Sequence, residues 1–361
     1  MGVWPRRLAL VVSPAPGESF ASWVDRLAVR NGCPPWMMAE SLGLDLRSVS
    51  GDVRSLAYGV VATAEMCEAI SAATGVDTEV VRDMHLGVFS GSAVDLTGVR
   101  VGDKESVCRA EVREWARFFG SRACPQCLTA SSGVRQVWWK LGWGAVCPVH
   151  HVLLVDQCPR CGVRLRRGSA GRPLGLSRRR APDPLRCGAV VSGMVCDQLI
   201  PRIRTSTVSG DLAGKQQMVL EVTERRRAPL VGGQVVSAGQ WFAALKAVAV
   251  LVRLGVPEVL PLLKAGSSDG GQALIREVVR HQGNRAGPQG RFGTVPQTAG
   301  AAAELLTVAL DLVGADGKSE LVARLAPLSA VARRRWTGLR SDPLAELSLP
   351  SVFAAALSIA W

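Results

Sequence analysis

The feature that most constrains this chain is a series of closely spaced cysteine and histidine pairs in its middle. Three pairs share a two-residue spacing, and a fourth is wider: Cys124-x2-Cys127, Cys147-x2-His150, Cys158-x2-Cys161 and Cys187-x8-Cys196. The short spacing lets both side chains of one tight turn reach a single ion, at about 2.3 Å for sulfur and about 2.0–2.1 Å for nitrogen. Such a series is typical of a segment held together by zinc.

In chain order the eight donors form two sets of four, which predicts two structural Zn²⁺ ions. The first set is Cys124, Cys127, Cys147 and His150, and the second is Cys158, Cys161, Cys187 and Cys196. A closed set leaves no position for a catalytic water, so a structural role is favoured over zinc-dependent hydrolysis. Two alternatives stay open: an interleaved pairing of the four pairs, and His151 in place of His150, which the C-x-x-H spacing disfavours.

Composition favours a polyanionic partner and a reducing compartment. The chain has 361 residues and a formal net charge of +13, and each basic group that neutralises a phosphate releases counterions. The simpler alternative is that arginine merely replaces lysine in this chain. The cysteine spacing indicates metal sites rather than secreted disulfides, and Cys33, Cys67 and Cys108 stand alone as expected inert thiols. The apolar run after Arg6-Arg7 is too short for a signal peptide, and no stretch is long enough to span a membrane. We therefore expect a cytoplasmic protein with no membrane contact.

The N-terminal region shows helical periodicity. Phe20, Trp23, Val24, Leu27 and Ala28 form one apolar stripe that ends at Asn31-Gly32, and a short helix is predicted from Pro34-Pro35 to Gly43. A related pair is predicted at 62–74 and 78–84. Helix, turn and short helix resemble a helix-turn-helix arrangement, although ordinary core helices explain the pattern equally well. Arg26 and Arg30 are expected on the outer face, as candidates for nucleic-acid or partner contact.

The chain divides into four predicted parts: an N-terminal helical, helix-turn-helix-like domain over 1–118, a tandem zinc-finger segment over 119–200, an irregular linker over 201–236 and a C-terminal helical domain over 237–361. The predicted fold class is mainly α with a small zinc-held β and loop segment, including short strands at 134–141 and 152–155. Ser237 is the expected N-cap of a helix with the stripe Trp241, Leu245, Val248 and Val252. Further helices are predicted at 272–281, 299–313 and 319–325. A basic loop over 162–186 supplies three more candidate contacts, Arg178, Arg179 and Arg180.

Two ordered motifs resemble the TniQ family of transposition accessory and target-selection proteins, which also takes in TnsD-like proteins. The first motif is Pro14-x-Pro16-Gly17-Glu18-Ser19-Phe20-x-Ser22-Trp23-x-x-Arg26-Leu27-Ala28-x-x-Asn31-Gly32. The second runs from Arg122-x-Cys124-Pro125-x-Cys127-Leu128 through Trp138-Trp139 and Cys147-Pro148-x-His150 to Cys158-Pro159-x-Cys161-Gly162. His151 stands where a glycine is common, and the Cys187–Cys196 spacing is wider than a regular knuckle.

The resemblance implies a non-enzymatic adaptor that helps select or license a DNA target site. Its implied partners are an AAA+ transposition ATPase, a transposase complex, and either target DNA or a CRISPR RNA-guided effector complex. Some relatives act as homodimers. The sequence has no G-x-x-x-x-G-K-[ST] loop, which agrees with a role without ATP hydrolysis.

Two rival functions belong to different classes. A free-standing zinc-containing transcription regulator would bind a short operator alone, with an affinity that falls as salt rises. A zinc hydrolase would need an open metal position, and therefore a set that lacks one of the eight donors.

Overall fold

The computed structural model describes residues 5–44, 58–101, 103–165, 183–259, 261, 268–282, 294–336, 342 and 344–361. This part of the chain is mainly α-helical, as the sequence predicts. Its helices are α1 (Phe20–Arg30), α2 (Pro35–Ser41), α3 (Ala64–Thr74), α4 (Thr78–Asp83), α5 (Lys104–Arg113), α6 (Pro125–Ala130), α7 (Gly210–Thr223), α8 (Ala238–Gly255), α9 (Ser268–Gln282), α10 (Ala299–Val313), α11 (Lys318–Trp336) and α12 (Ser351–Ala360).

The strands are short and form three separate antiparallel hairpins. They are β1 (Val146–Cys147) with β2 (Val152–Leu153), β3 (Val190–Val191) with β4 (Met194–Val195), and β5 (Leu230–Val231) with β6 (Gln234–Val235). Three 3₁₀ turns lie at Leu86–Phe89, Val137–Lys140 and Ile200–Arg202. The strands of the described residues are therefore confined to hairpins, and helices build the core.

The N-terminal helices follow the predicted periodicity. All five residues of the α1 stripe are buried, and they pack with α2 and α3 residues such as Met38 and Ile70. Gly32 and Gly75 end α1 and α3 in the left-handed conformation that favours glycine. The helix pairs are thus confirmed. Their use as a helix-turn-helix DNA reader stays a prediction.

The C-terminal helices surround α8. Ser237 caps this helix in a reciprocal capping box with Gln240, as the sequence predicts. The helix packs against α10 and α11, while α9 packs on α10 and α12 on α11. Among the described helices only α8 is apolar and long enough to cross a membrane, and 78% of that stretch is buried inside the protein. It is therefore the central helix of a protein core.

One hydrophobic core crosses the predicted domain boundaries. It contains residues from the first hundred positions, such as Val60 and Phe89, together with Trp115, Leu245 and Phe353. The boundaries at 118, 200 and 236 stay a prediction, and this shared core is an argument against treating the parts as independent folding units.

The prediction of an irregular linker over 201–236 is wrong, because the segment contains regular structure. It contains the fourteen-residue helix α7, capped by Ser209, and the β5–β6 hairpin. Gly210 and Gly214 weaken the helical signal, and the buried face of α7 includes Gln216 and Thr223 as well as apolar residues. The apolar stripe that would reveal a helix is therefore interrupted by polar side chains.

Two other local predictions also need correction, and one helix was not predicted. The predicted strand at 134–141 is a 3₁₀ turn at Val137–Lys140 with isolated bridges only, Glu18 to Gln136 and Ala116 to Leu141. The helix predicted at 319–325 continues through Pro327 to Trp336, because Leu328 and Ala332 keep the buried face going beyond the proline. The helix α12 is an addition to the predicted elements, and it buries Phe353 against the core.

Candidate metal centre and the buried polar node

The first donor set is assembled by a helix start and a hairpin turn. Cys124 occupies the N-cap position of α6, Pro125 is its first residue, and Cys127 lies one turn further on. Cys147 ends β1, and His150 lies in the tight turn that leads to β2. His151 is exposed in the left-handed conformation, and its backbone N–H donates to the Cys147 carbonyl. His150, not His151, joins the cysteines, as the spacing predicts.

The separations within this set fit tetrahedral zinc. Two thiolates on one zinc ion stand about 3.8 Å apart, and a thiolate and an imidazole nitrogen stand about 3.5 Å apart, given the usual bond lengths. The Cys127 and Cys147 sulfurs are 3.6 Å apart. The His150 Nδ1 atom lies 3.5, 3.3 and 3.4 Å from the sulfurs of Cys124, Cys127 and Cys147. The donors are therefore placed to share one ion.

The second set groups Cys158, Cys161, Cys187 and Cys196 in the same way, with all donor atoms within 4.8 Å of one another. The Cys158–Cys196 and Cys161–Cys187 sulfur pairs are each 3.7 Å apart. The two sets are therefore sequential along the chain, which excludes the interleaved pairing. Both have the donor types and spacing that a closed zinc site requires.

The wide Cys187-x8-Cys196 spacing is explained by the β3–β4 hairpin. Val190 pairs with Val195 and Val191 with Met194, with the turn at Ser192-Gly193. Backbone hydrogen bonds between the two arms continue beyond these strands. The Cys187 N–H donates to the Gln198 carbonyl, and the Cys196 N–H donates to the Ala189 carbonyl. Two cysteines on opposite arms of one hairpin thus reach the same ion, although eight residues separate them.

The crowded thiols also indicate a cation. Hydrogen bonding to the Cys124 and Cys147 sulfurs, together with burial, raises the pKa of the Cys127 thiol. Three thiols in one small volume cannot all ionise unless a positive charge compensates them. A bound divalent ion supplies that charge and accepts all three thiolates.

The N-terminal motif lies directly against the segment that carries the first donor set. The Ser19 N–H donates to the Arg135 carbonyl, and the Val137 N–H donates to the Gly17 carbonyl. Gly17 has φ +66°, and a Cβ there would come within 2.5 Å of the Gln136 side chain. The two motifs that are far apart in sequence are therefore one structural unit, and the positive φ at their junction favours glycine.

Glu18 is the charged centre of that junction. Its buried carboxylate accepts from the Ala15 N–H at 3.0 Å, the Ser22 hydroxyl at 2.8 Å and the Arg26 guanidinium at 2.5 Å. Burial raises the pKa of Glu18 in spite of these donors. The motif residues Glu18, Ser22 and Arg26 therefore form one network that holds the start of α1.

A second buried polar network joins the first metal module to the C-terminal helices. Arg122 is fully buried and donates to the Asp156 carboxylate at 2.6 Å and to the carbonyls of Gly142 and Gly144. It also donates to the carbonyls of Pro296 and Thr298, just before α10. We call Arg117, Arg122, Asp156 and residues 296–299 the polar node.

The other members of the node complete its pairing. Arg117 donates to Asp156 at 3.1 Å and to the Pro296 and Gln297 carbonyls, and burial lowers its pKa to about 9. The Asp156 carboxylate also accepts from the backbone N–H of Ala299, the first residue of α10. The node therefore fixes the start of α10 against the chain between the two metal sets.

Residues 9–154 match the family model described as TniQ. These residues therefore form a TniQ domain. The match covers α1 to β2 and with them the whole first metal set. No curated protein matches the chain. The TniQ domain indicates a transposition-associated protein.

The predicted contact residues of this TniQ protein have different surroundings. Arg30 is exposed at the end of α1, as expected. The prediction that Arg26 lies on the outer face of α1 is wrong, because its side chain is only 22% exposed and pairs with Glu18. Arg178, Arg179 and Arg180 lie outside the described residues. Sequence reasoning missed the exposed Arg202 and Arg204, beside the second metal set, which make no ion pair in the described part of the chain.

Two arginines of α1 in the TniQ domain should differ in their effect on stability. We expect Arg26→Ala to lower the free energy of unfolding by about 1–2 kcal/mol, because Glu18 loses a charge-assisted hydrogen bond. Arg30→Ala is the matched control and should stay within about 0.5 kcal/mol of the wild type. Urea unfolding of both variants measures the difference.

The same comparison predicts a pH dependence. Because the pKa of Glu18 is raised in the folded protein, its ionisation disfavours folding as pH rises through that pKa. Loss of Arg26 increases this penalty, so the deficit of Arg26→Ala should be largest at neutral pH and shrink as the carboxyl protonates. A deficit that grows on acidification would contradict the assigned role of Arg26.

Proposed function

We propose that this TniQ protein is a non-enzymatic transposition adaptor in the cytoplasm that helps select or license the DNA target site. Its partners are an AAA+ ATPase, a transposase complex and either target DNA or a CRISPR RNA-guided effector complex, and homodimer formation belongs to the same proposal. The TniQ match over residues 9–154 is the observation that carries it. Two closed donor sets, which leave no open metal position, support a scaffold role rather than hydrolysis.

Structural Zn²⁺ is part of this proposal, with one ion in each donor set. The ions would fix the turns around Cys124, Cys147 and Cys158 and the hairpin between Cys187 and Cys196. A zinc-held segment offers a rigid surface without a large apolar core.

Nucleic acid is the proposed partner of the basic surface. Arg202 and Arg204 are exposed and without ion pairs in the described part of the chain. In sequence, the run that contains Arg178, Arg179 and Arg180 separates Cys161 from Cys187, so it belongs to the same metal module. Arg30 supplies a further cation on α1. We propose these arginines as phosphate contacts, since each neutralised phosphate releases counterions.

The decisive experiment is transposition with and without this gene, read as insertion frequency and insertion sites. We expect insertions to be lost or redistributed without it. A double Arg202→Ala, Arg204→Ala variant should weaken DNA binding. It should also reduce the slope of log K against log salt concentration by about 2. Arg109→Ala is the control, because Arg109 is exposed but pairs with Glu105.

The alternative function, a free-standing transcription regulator, predicts a different result. If insertions occur at the same sites and rate without the gene, and the purified protein alone recognises a short duplex, the adaptor proposal fails. The free-standing DNA-binding regulator is then the better account.

A further inference from the structure

A large cleft beside α10 lies apart from both metal sets and meets the polar node only at Thr298. Its volume is about 1320 Å³, and it is bounded by the end of β2, the start of α7, and parts of α9, α10 and α11. Much of its wall is apolar, including Leu212, Val308 and Leu328. Apolar walls favour an occupant that buries hydrocarbon surface.

The carboxyl group of Glu304 gives this cleft its chemical character. Glu304 lines the cleft but is only 5% exposed, and it has no hydrogen-bond or ion-pair partner among the described residues. Burial alone raises its pKa to about 7. A buried carboxyl without a partner costs free energy unless a ligand supplies one.

Most of the other charges at the cleft have partners. Lys215 pairs with Asp311 at 2.8 Å and with Asp211 at 3.3 Å, and Arg324 pairs with Glu320 at 2.6 Å. Arg276 on α9 also lines the cleft, where it is exposed and makes no ion pair with Glu304. Glu304 is thus the acidic group of the cleft that remains to be matched by a cation. A lysine or arginine fits best, because its alkyl stem suits the apolar walls and its head pairs with the carboxylate.

The dimensions of the cleft favour a peptide segment over a small molecule. Pockets for small ligands usually measure about 300–1,000 Å³, which is less than this volume. The α10 face along the cleft extends from Gly300 to Asp311. That distance is roughly 17 Å at the rise of an α-helix, or about three turns of a docked helix.

We propose that this cleft docks a helical segment of a protein partner that presents a lysine or arginine among apolar residues, with the cation paired to the Glu304 carboxylate. Nucleic acid is disfavoured, because the unpaired Glu304 carboxylate and the apolar walls would face its phosphates. The inference rests on the proposed adaptor role for its biological use. The binding test below needs no transposition, so the two proposals can fail separately.

A displayed library of random 16-residue peptides, selected on the immobilised full chain, tests the cleft directly. We expect the selected peptides to carry a basic residue among apolar residues at i, i+3, i+4 and i+7. The best peptide is then synthesised, and its Kd is measured by fluorescence anisotropy. Glu304→Gln should weaken binding at least about tenfold, because it removes the buried charge and keeps the shape.

Two further variants fix the location of the site. Thr307→Trp fills the cleft one turn from Glu304 and should abolish binding, whereas Glu105→Gln removes an exposed carboxylate from α5 and should leave the Kd unchanged. The proposal is overturned if no peptide is enriched, or if Glu304→Gln or Thr307→Trp binds as the wild type does. It is also overturned if a 30-base-pair duplex displaces the peptide, or if N-acetyl-arginine amide alone binds as tightly.

Discussion

Cys147→Ser should leave the protein with one zinc ion instead of two and should prevent stable folding of the segment around the first metal set. Cys147 is buried and its sulfur lies near every other donor of that set. Structural zinc contributes folding free energy on the order of 10 kcal/mol per site in small modules. Net stabilities are about 5–15 kcal/mol, so the loss of one site is comparable to the whole stability.

Zinc per chain, measured by elemental mass spectrometry on protein purified without chelator, checks this prediction. The wild type should hold two ions, and limited proteolysis should cut the variant between α6 and β2. Cys108→Ser is the matched control, since Cys108 belongs to neither set, and it should keep both ions. Fewer than one ion per chain in the wild type would remove the basis for a zinc-held segment.

Arg122→Met should have the second largest effect, with a loss of about 3–5 kcal/mol in the free energy of unfolding. Methionine keeps much of the side-chain volume but leaves the Asp156 carboxylate with fewer donors. The carbonyls of Gly142, Gly144 and Pro296 would also lose a donor in a buried place. Urea unfolding of the purified variant gives the loss.

The exposed ion pair on α5 provides the control for this measurement. Arg109 and Glu105 are 73% and 75% exposed, so Arg109→Met should change stability by less than about 1 kcal/mol. Arg122→Met should still bind two zinc ions wherever it is folded, because Arg122 is not a ligand. A loss as small as that of Arg109→Met would show that the polar node is not a stabilising contact.

Local sequence patterns are enough to predict the donors and the amphipathic helices. A two-residue spacing fixes a tight turn by itself, so the sequence alone identifies the pairs Cys124–Cys127 and Cys147–His150. The structure decides that these two pairs share one site. The stripe of α1 and the capping box of α8 are equally local signals. By contrast, α7 escapes prediction because its buried face includes Gln216, and the apolar run around Trp138 and Trp139 indicates a strand where the chain forms a 3₁₀ turn.

The polar node could not be predicted, because its partners are distant in sequence. Arg122 stands out only as a motif residue, and nothing around Asp156 marks it as the carboxylate that Arg122 and Arg117 share. Burial of an arginine is decided by tertiary packing, and the prior expectation for any arginine is an exposed position. The unpartnered carboxyl of Glu304 was hidden for the same reason.

The polar node has a consequence for synthesis on the ribosome. Arg122 is made 174 residues before Pro296, whose carbonyl it meets in the finished protein. At usual elongation rates this interval lasts on the order of ten seconds or more. The first metal set can close early, since its donors are made close together, but Arg117, Arg122 and Asp156 must wait for the start of α10. The TniQ domain therefore reaches its final state only after translation has passed well beyond its own last residue.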